Sequence, residues 1–195
     1  MDEQTRHRKL AAIDAPHVAP LNDLVRQWRA QGRHVPWFDP DGGGTGATVL
    51  LLMESPGPRT IAAGTAAITT EDNPDPTARH LRTARIEAEL AATACLRWNV
   101  IPWALPTGHK PTIDDLEDAR PALAQVSELL HSLHVVITFG TAALNGWMRH
   151  LTLTQNPRLV PTLAVPHPSP ANGHRRAETH QRILNTLRSA AGTTS

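Results

Sequence analysis

Large rings are scarce in this chain. Among 195 residues there is no tyrosine, and two phenylalanines (Phe38, Phe139) and five tryptophans make up the aromatic supply. Rings this few usually form core, so Trp98 and Trp103 are expected to be buried. Cysteine is scarcer still. Cys95 alone excludes an intrachain disulfide and any cluster held by several thiolates, and its apolar setting reads as a small core residue. No apolar run approaches membrane-spanning length, and the charged N-terminus does not resemble a signal peptide, so a soluble cytoplasmic protein is expected. An excess of one charge is missing as well: the net charge of +1 does not announce a nucleic-acid binder. Only the C-terminal stretch is one-sided, with Arg175, Arg176, Arg182 and Arg188 against Glu178. It reads equally as a solvated helix face or a phosphate-facing one.

Several familiar motifs are also absent. Asp39 to Gly46 is rich in glycine, but it precedes a strand and lacks the Gly-Lys-Ser/Thr ending of a phosphate loop, so it reads as a flexible turn. Ser55 has no Gly-x-Ser-x-Gly around it and is not a hydrolase nucleophile of that kind. His131 and His134, or His174 and His180, lack the cysteine or acidic partners of a zinc site, so neither metal nor cofactor is expected.

What remains is an alternation of strands and helices. Residues 1–15 are polar and expected to fray, and Leu21, Leu24, Val25 and Trp28 fall at helical spacing over 19–31, with Gly32 as a stop. Continuous apolar runs predict buried strands at Ala47–Met53, Leu96–Ile101, His134–Phe139 and Leu159–Val165. Between them, Asp75-Pro76-Thr77 reads as the cap and first turn of a helix carrying Leu81. Residues 121–133 form an amphipathic helix, Gly140-Thr141 opens another, and Arg175 to Ala190 is the last. This pattern predicts one domain over residues 1–195, a three-layer α/β/α sandwich with a central, mainly parallel four-stranded sheet. Ligand sites in such folds lie at the carboxyl edge of the sheet.

Three segments stand at that edge: Met53-Glu54-Ser55-Pro56-Gly57-Pro58, Trp98-Asn99-Val100-Ile101-Pro102-Trp103, and His167-Pro168-Ser169-Pro170. In this order and spacing they resemble the three active-site motifs of the uracil-DNA glycosylase superfamily, over roughly residues 47 to 190. The first is similar to the Gly-x-Asn-Pro-Gly and Gly-Glu-Ala-Pro-Gly motifs of different branches. Glu54 matches the second form, Ser55 stands where Asn or Ala is found, and Met53 replaces the leading Gly. The single cysteine excludes the four-cysteine iron–sulfur branch.

The resemblance implies hydrolysis of the N-glycosidic bond of uracil or another deaminated base in DNA, by a monomer that needs no metal. Such chemistry must take the base out of the stack, stabilise it as an anion, and bring water to an oxocarbenium-like sugar. Glu54 or Ser55 would orient the water, Asn99 would read the carbonyl and imide edge of the base, and a neutral His167 would donate to the departing carbonyl. Residues 69–78 resemble a stretch that borders the base pocket, which implicates Asn73; Ile68 falls where an aromatic ring usually stacks on the base. Loss of that ring, worth about 1–3 kcal/mol per base, would weaken base capture or change which base fits. Pro58, Ser169, Asn172, Arg175 and Arg176 are the expected DNA contacts, and Ala171 is too small to wedge a duplex well. Two other readings stay open: a catalytically silent nucleic-acid-binding module, and a hydrolase of the same fold acting on a different base or a free nucleoside.

Overall fold

A computed structural model describes residues 1–168 and the helix Arg176–Thr194. In chain order its elements are α1 (Glu3–Ala11), α2 (Ala19–Ala30), β1 (Trp37–Phe38), β2 (Val49–Met53), α3 (Pro58–Ile61), β3 (Ile68–Thr69), α4 (Pro76–Glu87), β4 (Cys95–Asn99), α5 (Ile113–Leu129), β5 (Val135–Phe139), α6 (Thr141–Leu153), β6 (Thr162–Val165) and α7 (Arg176–Thr194). The strands β4, β2, β5 and β6 form an all-parallel sheet in that order, and β1 pairs with β3 as a separate parallel ribbon.

Side-chain alternation along the strands divides the core in two. Leu50, Leu52, Leu96, Trp98 and Val136 face α2, α5 and α6; Val49, Leu51, Met53, Cys95, Val135, Ile137 and Phe139 face α4 and α7. Every residue of β2 is therefore buried, as its uninterrupted apolar run demands. Trp98 is fully buried and stacks on Phe38 at 3.5 Å between ring centroids, and Trp103 is buried beside it in the same cluster. Cys95 is a core residue whose thiol burial pushes up to about 12. No helix among the described residues is long and apolar enough to cross a membrane.

Four expectations need correction. Residues 1–15 do not fray: α1 is capped by Asp2, which accepts from the Thr5 N–H at 2.7 Å, and it buries the Lys9 ammonium against Asp39 at 2.7 Å. The glycine-rich turn is packed, not loose. Gly44 has φ +54°, and a Cβ there would lie 2.0 Å from the His17 carbonyl oxygen. The helix expected from residue 121 begins at Ile113, because Thr112 and Asp115 form a reciprocal capping box and the helix tolerates Pro121. The fourth strand begins only at Thr162, since Pro161 has no N–H to give the ladder.

Candidate active site

The carboxyl ends of β2 and β4 meet in register, Met53 opposite Asn99. The chain leaves both strands together: the Val100 N–H donates to the Met53 carbonyl at 2.8 Å and the Ile101 N–H to that of Glu54 at 3.0 Å. Beyond this edge opens a cavity of about 290 Å³. Its floor is Met53, Arg97 and Asn99; one wall is Ser55 to Thr60, another is Thr69, Asn73 and Asp75 to Thr77, and His167 closes it from beyond β6.

The walls are tied to one another. Pro58 occupies the first turn of α3, a position that needs no N–H and suits its fixed φ. Arg59 of that helix donates to the Pro74 carbonyl, and the Asn73 amide donates to the Thr60 hydroxyl at 3.1 Å and the Ile68 carbonyl at 2.9 Å. Asp75 caps α4 by accepting from the Ala78 N–H at 2.8 Å, which leaves its carboxylate at the cavity wall. Asn99 is buried with no side-chain partner recorded among the described residues, its amide in the lining.

His167 packs against Gly140, which has φ +89° at the start of α6; a Cβ at Gly140 would stand 3.2 Å from that of His167. Burial, and then the positive charge of Arg97, push the imidazole below its ordinary pKa, with Asp75 opposing. It is therefore neutral at neutral pH. The next residue is anchored as well. The His80 Nδ1–H faces the Pro168 carbonyl at 3.4 Å, His80 Nε2 pairs with His180 Nδ1 at 3.2 Å, and His180 Nε2 with Glu87 at 2.9 Å.

The sequence-derived residues thus separate. Ser55, Pro58, Asn73, Asn99 and His167 line one cavity. Glu54 is half-buried at the same strand end but outside the lining, and burial raises the pKa of its carboxyl. Ile68 is not a cavity residue: its side chain is buried in β3, and only its carbonyl serves the site, through Asn73. Ser169, Asn172 and Arg175 lie outside the described residues, as does the side chain of Arg176. Among the described residues no group of three or more His, Cys, Asp or Glu could hold a metal ion.

Arg97, Asp75, Thr60 and Thr69 also line the cavity and were not singled out as site residues in the sequence. For Arg97 the signal was present. It stands two residues before Asn99, hence on the same face of the strand, as a cation inside an otherwise apolar run.

Compared with known families, the sequence matches the uracil DNA glycosylase superfamily over residues 40–189. No curated protein matches the chain.

Proposed function

Since the chain belongs to the uracil DNA glycosylase superfamily, we propose that it hydrolyses the N-glycosidic bond of a deaminated base in DNA. The observation carrying this reading is the convergence of Ser55, Asn99 and His167 on one cavity at the carboxyl edge of the sheet. A base stacked in a duplex cannot be attacked, so it must be turned out into a recess of this kind. The Asn99 amide offers an acceptor beside donors, the complement of a carbonyl next to a ring N–H. His167, kept neutral, donates to a base carbonyl as negative charge builds there.

The C1′–N bond breaks with its electron pair leaving on the base. The oxygen of a water held by Ser55 and Glu54 bonds to C1′, and its proton passes to the Glu54 carboxylate. The base anion then takes a proton from solvent. Burial raises the pKa of Glu54, which suits it to accept that proton. Pro58 and, from the sequence, Ser169, Asn172, Arg175 and Arg176 are the proposed contacts to the flanking strand.

The test is single-turnover base release at saturating enzyme, from single strands and duplexes carrying uracil, hypoxanthine or xanthine. Release of at least one base is expected. Glu54→Gln should slow it at least about tenfold while DNA affinity holds or improves, because a negative charge near phosphates is gone. Tight binding with no release from any strand would overturn catalysis and leave the silent binding module. Unchanged release by Glu54→Gln would move the water-holding role to Ser55 alone.

A further inference from the structure

Arg97 brings a half-buried guanidinium to the floor of the cavity, and the protein satisfies only part of it. Its Nη1 donates to the Thr70 carbonyl at 2.9 Å, whereas Nε is buried with no hydrogen-bond partner. No carboxylate forms an ion pair with it among the described residues. The nearby acids are Asp75, which shares the cavity wall and caps α4 by accepting from the Ala78 N–H at 2.8 Å, Asp39, paired with Lys9 at 2.7 Å, and Glu71, paired with Arg85 at 2.5 Å. Asp39, Glu71 and their partners line a second cavity of about 210 Å³, which shares Arg97 and Thr69 with the first, so Arg97 borders both that paired acidic network and the candidate base recess. Nε is enclosed, so the Nη end of the guanidinium, held by the Thr70 carbonyl alone, is the part that can offer donors to a ligand in the cavity.

The chemistry of that ligand follows from the donor set. Asn99 reads a carbonyl next to a ring N–H, which uracil and a 6-oxopurine both possess. A guanidinium fork reads two adjacent acceptors, as in its bidentate pairing with O6 and N7 of a purine. Uracil has no such pair on the edge facing away from the sugar, because its ring N–H lies between its carbonyls and a C–H flanks the outer one. We propose that Arg97 is the specificity-determining residue of this cavity and selects a 6-oxopurine, hypoxanthine or xanthine, over uracil. Among the described residues no phenylalanine, tyrosine or tryptophan lines the cavity, which fits a site that identifies its base by edge more than by stacking.

The inference rests on the excision reading, and the experiment separates the two. Single-stranded substrates remove any difference in base-pair opening, so hypoxanthine, xanthine and uracil strands are compared under single-turnover conditions. The wild type should release hypoxanthine at least about tenfold faster than uracil. Arg97→Met should lower the hypoxanthine-to-uracil ratio by about tenfold to a hundredfold, the scale of a lost bidentate contact. Arg97→Lys should lower it similarly, because an ammonium keeps the charge and loses the fork. A wild-type preference for uracil, or a ratio unchanged in both variants, overturns the inference while excision stands. Should Arg97→Met fail to fold by circular dichroism, the wild-type ratio and Arg97→Lys decide. If no strand releases a base, the excision reading falls, and calorimetric binding of free hypoxanthine and free uracil decides the role of Arg97. Hypoxanthine bound tighter, with the difference lost in Arg97→Lys, supports it; equal binding overturns it.

Discussion

His167 can stabilise a departing base only while one ring nitrogen donates and the ring carries no charge of its own to be desolvated. Burial, reinforced by the positive charge of Arg97, favours that neutral form by lowering the pKa from the ordinary 6.5. The donor is present above this lowered pKa and lost as pH falls through it. The acid limb of excision should therefore lie below pH 6.5 in the wild type, and Arg97→Lys, which keeps the cation, should leave it nearer that position than Arg97→Met. His167→Ala should slow the chemical step about 10²–10³-fold, the scale for one donor to a developing anion. Single-turnover rates across pH measure both, and a His167→Ala protein that cleaves at full rate once saturated would show that this side chain does no chemistry. At the residue scale the sequence was readable where chemistry and motif coincide. Asn99 and His167 are polar residues set at strand ends, and both line the cavity. Ile68 misled because its place in a motif says nothing about which face of β3 it occupies, and that face is core. Arg97 belongs to no motif, and a lone cation on β4, an edge strand, has the pattern of a solvated residue.

Where each side chain can stand is decided by the elements that carry it, and here two of them compete for the same space. The loop after β6 brings His167 against the first turn of α6, where Gly140, at φ +89°, lets it approach closely. Gly140→Ala places a methyl 3.2 Å from the His167 Cβ and forces a side chain onto φ +89°. Strain there should destabilise the protein by about 1 kcal/mol or more. The displacement should also lower the single-turnover rate by at least about tenfold with DNA affinity little changed, since misplacing a catalytic group by a fraction of its contact distance is enough. Thermal melts and excision measured side by side check it; an unaltered rate in a folded Gly140→Ala protein would show that His167 is not fixed by this contact. The elements themselves were largely legible. Asp75-Pro76 announces the start of α4, as an acceptor followed by a residue with no N–H to satisfy, and the apolar runs announce the strands of the sheet. The start of α5 was hidden because Pro121 reads locally as a beginning, while the helix starts eight residues upstream at Ile113, behind the Thr112–Asp115 capping box. The ribbon of β1 and β3 was hidden for another reason: two-residue strands carry no periodicity to detect.

Across the whole molecule the least legible feature is a buried ammonium. Lys9 looks like one more charge in a polar N-terminal stretch, yet its Nζ lies within 2.7 Å of Asp39, 3.0 Å of Asp41 and 2.8 Å of Asp72, and donates to the Thr70 hydroxyl at 2.9 Å. These partners come from the glycine-rich turn and from the loop after β3, so their pairing was not visible from spacing along the chain. One side chain thereby joins α1 to the turn that precedes β2 and to the segment whose Thr70 carbonyl holds Arg97. Lys9→Met would remove the cation that Asp39, Asp41 and Asp72 share, leaving Asp41 with Arg8 and Asp72 with Arg82. Breaking a buried pair from one side costs about 3–5 kcal/mol, and the lower end applies because water reaches Asp41 and Asp72. The pH dependence has a definite sign. The hydrogen bond from Arg8, together with Lys9, holds the Asp41 carboxyl well below the usual range; burial raises the pKa of Asp72, but the Lys9 ammonium outweighs it and the net shift is downward. Stability from these depressed groups is fully present above their unfolded pKa near 3.8 and is lost as pH falls through their folded values. In Lys9→Met, Asp41 and Asp72 lose one of the cations that hold their pKa down, so they protonate at higher pH than in the wild type and their mutual repulsion disappears there. The deficit of the variant should be greatest at pH 7 and shrink as the pH drops below about 4. Denaturant midpoints at both pH values read it directly. Equal stability of Lys9→Met and wild type at pH 7 would mean that α1 is a passenger, and a deficit that grows toward acid would mean that the carboxylates are not the groups left unpaired.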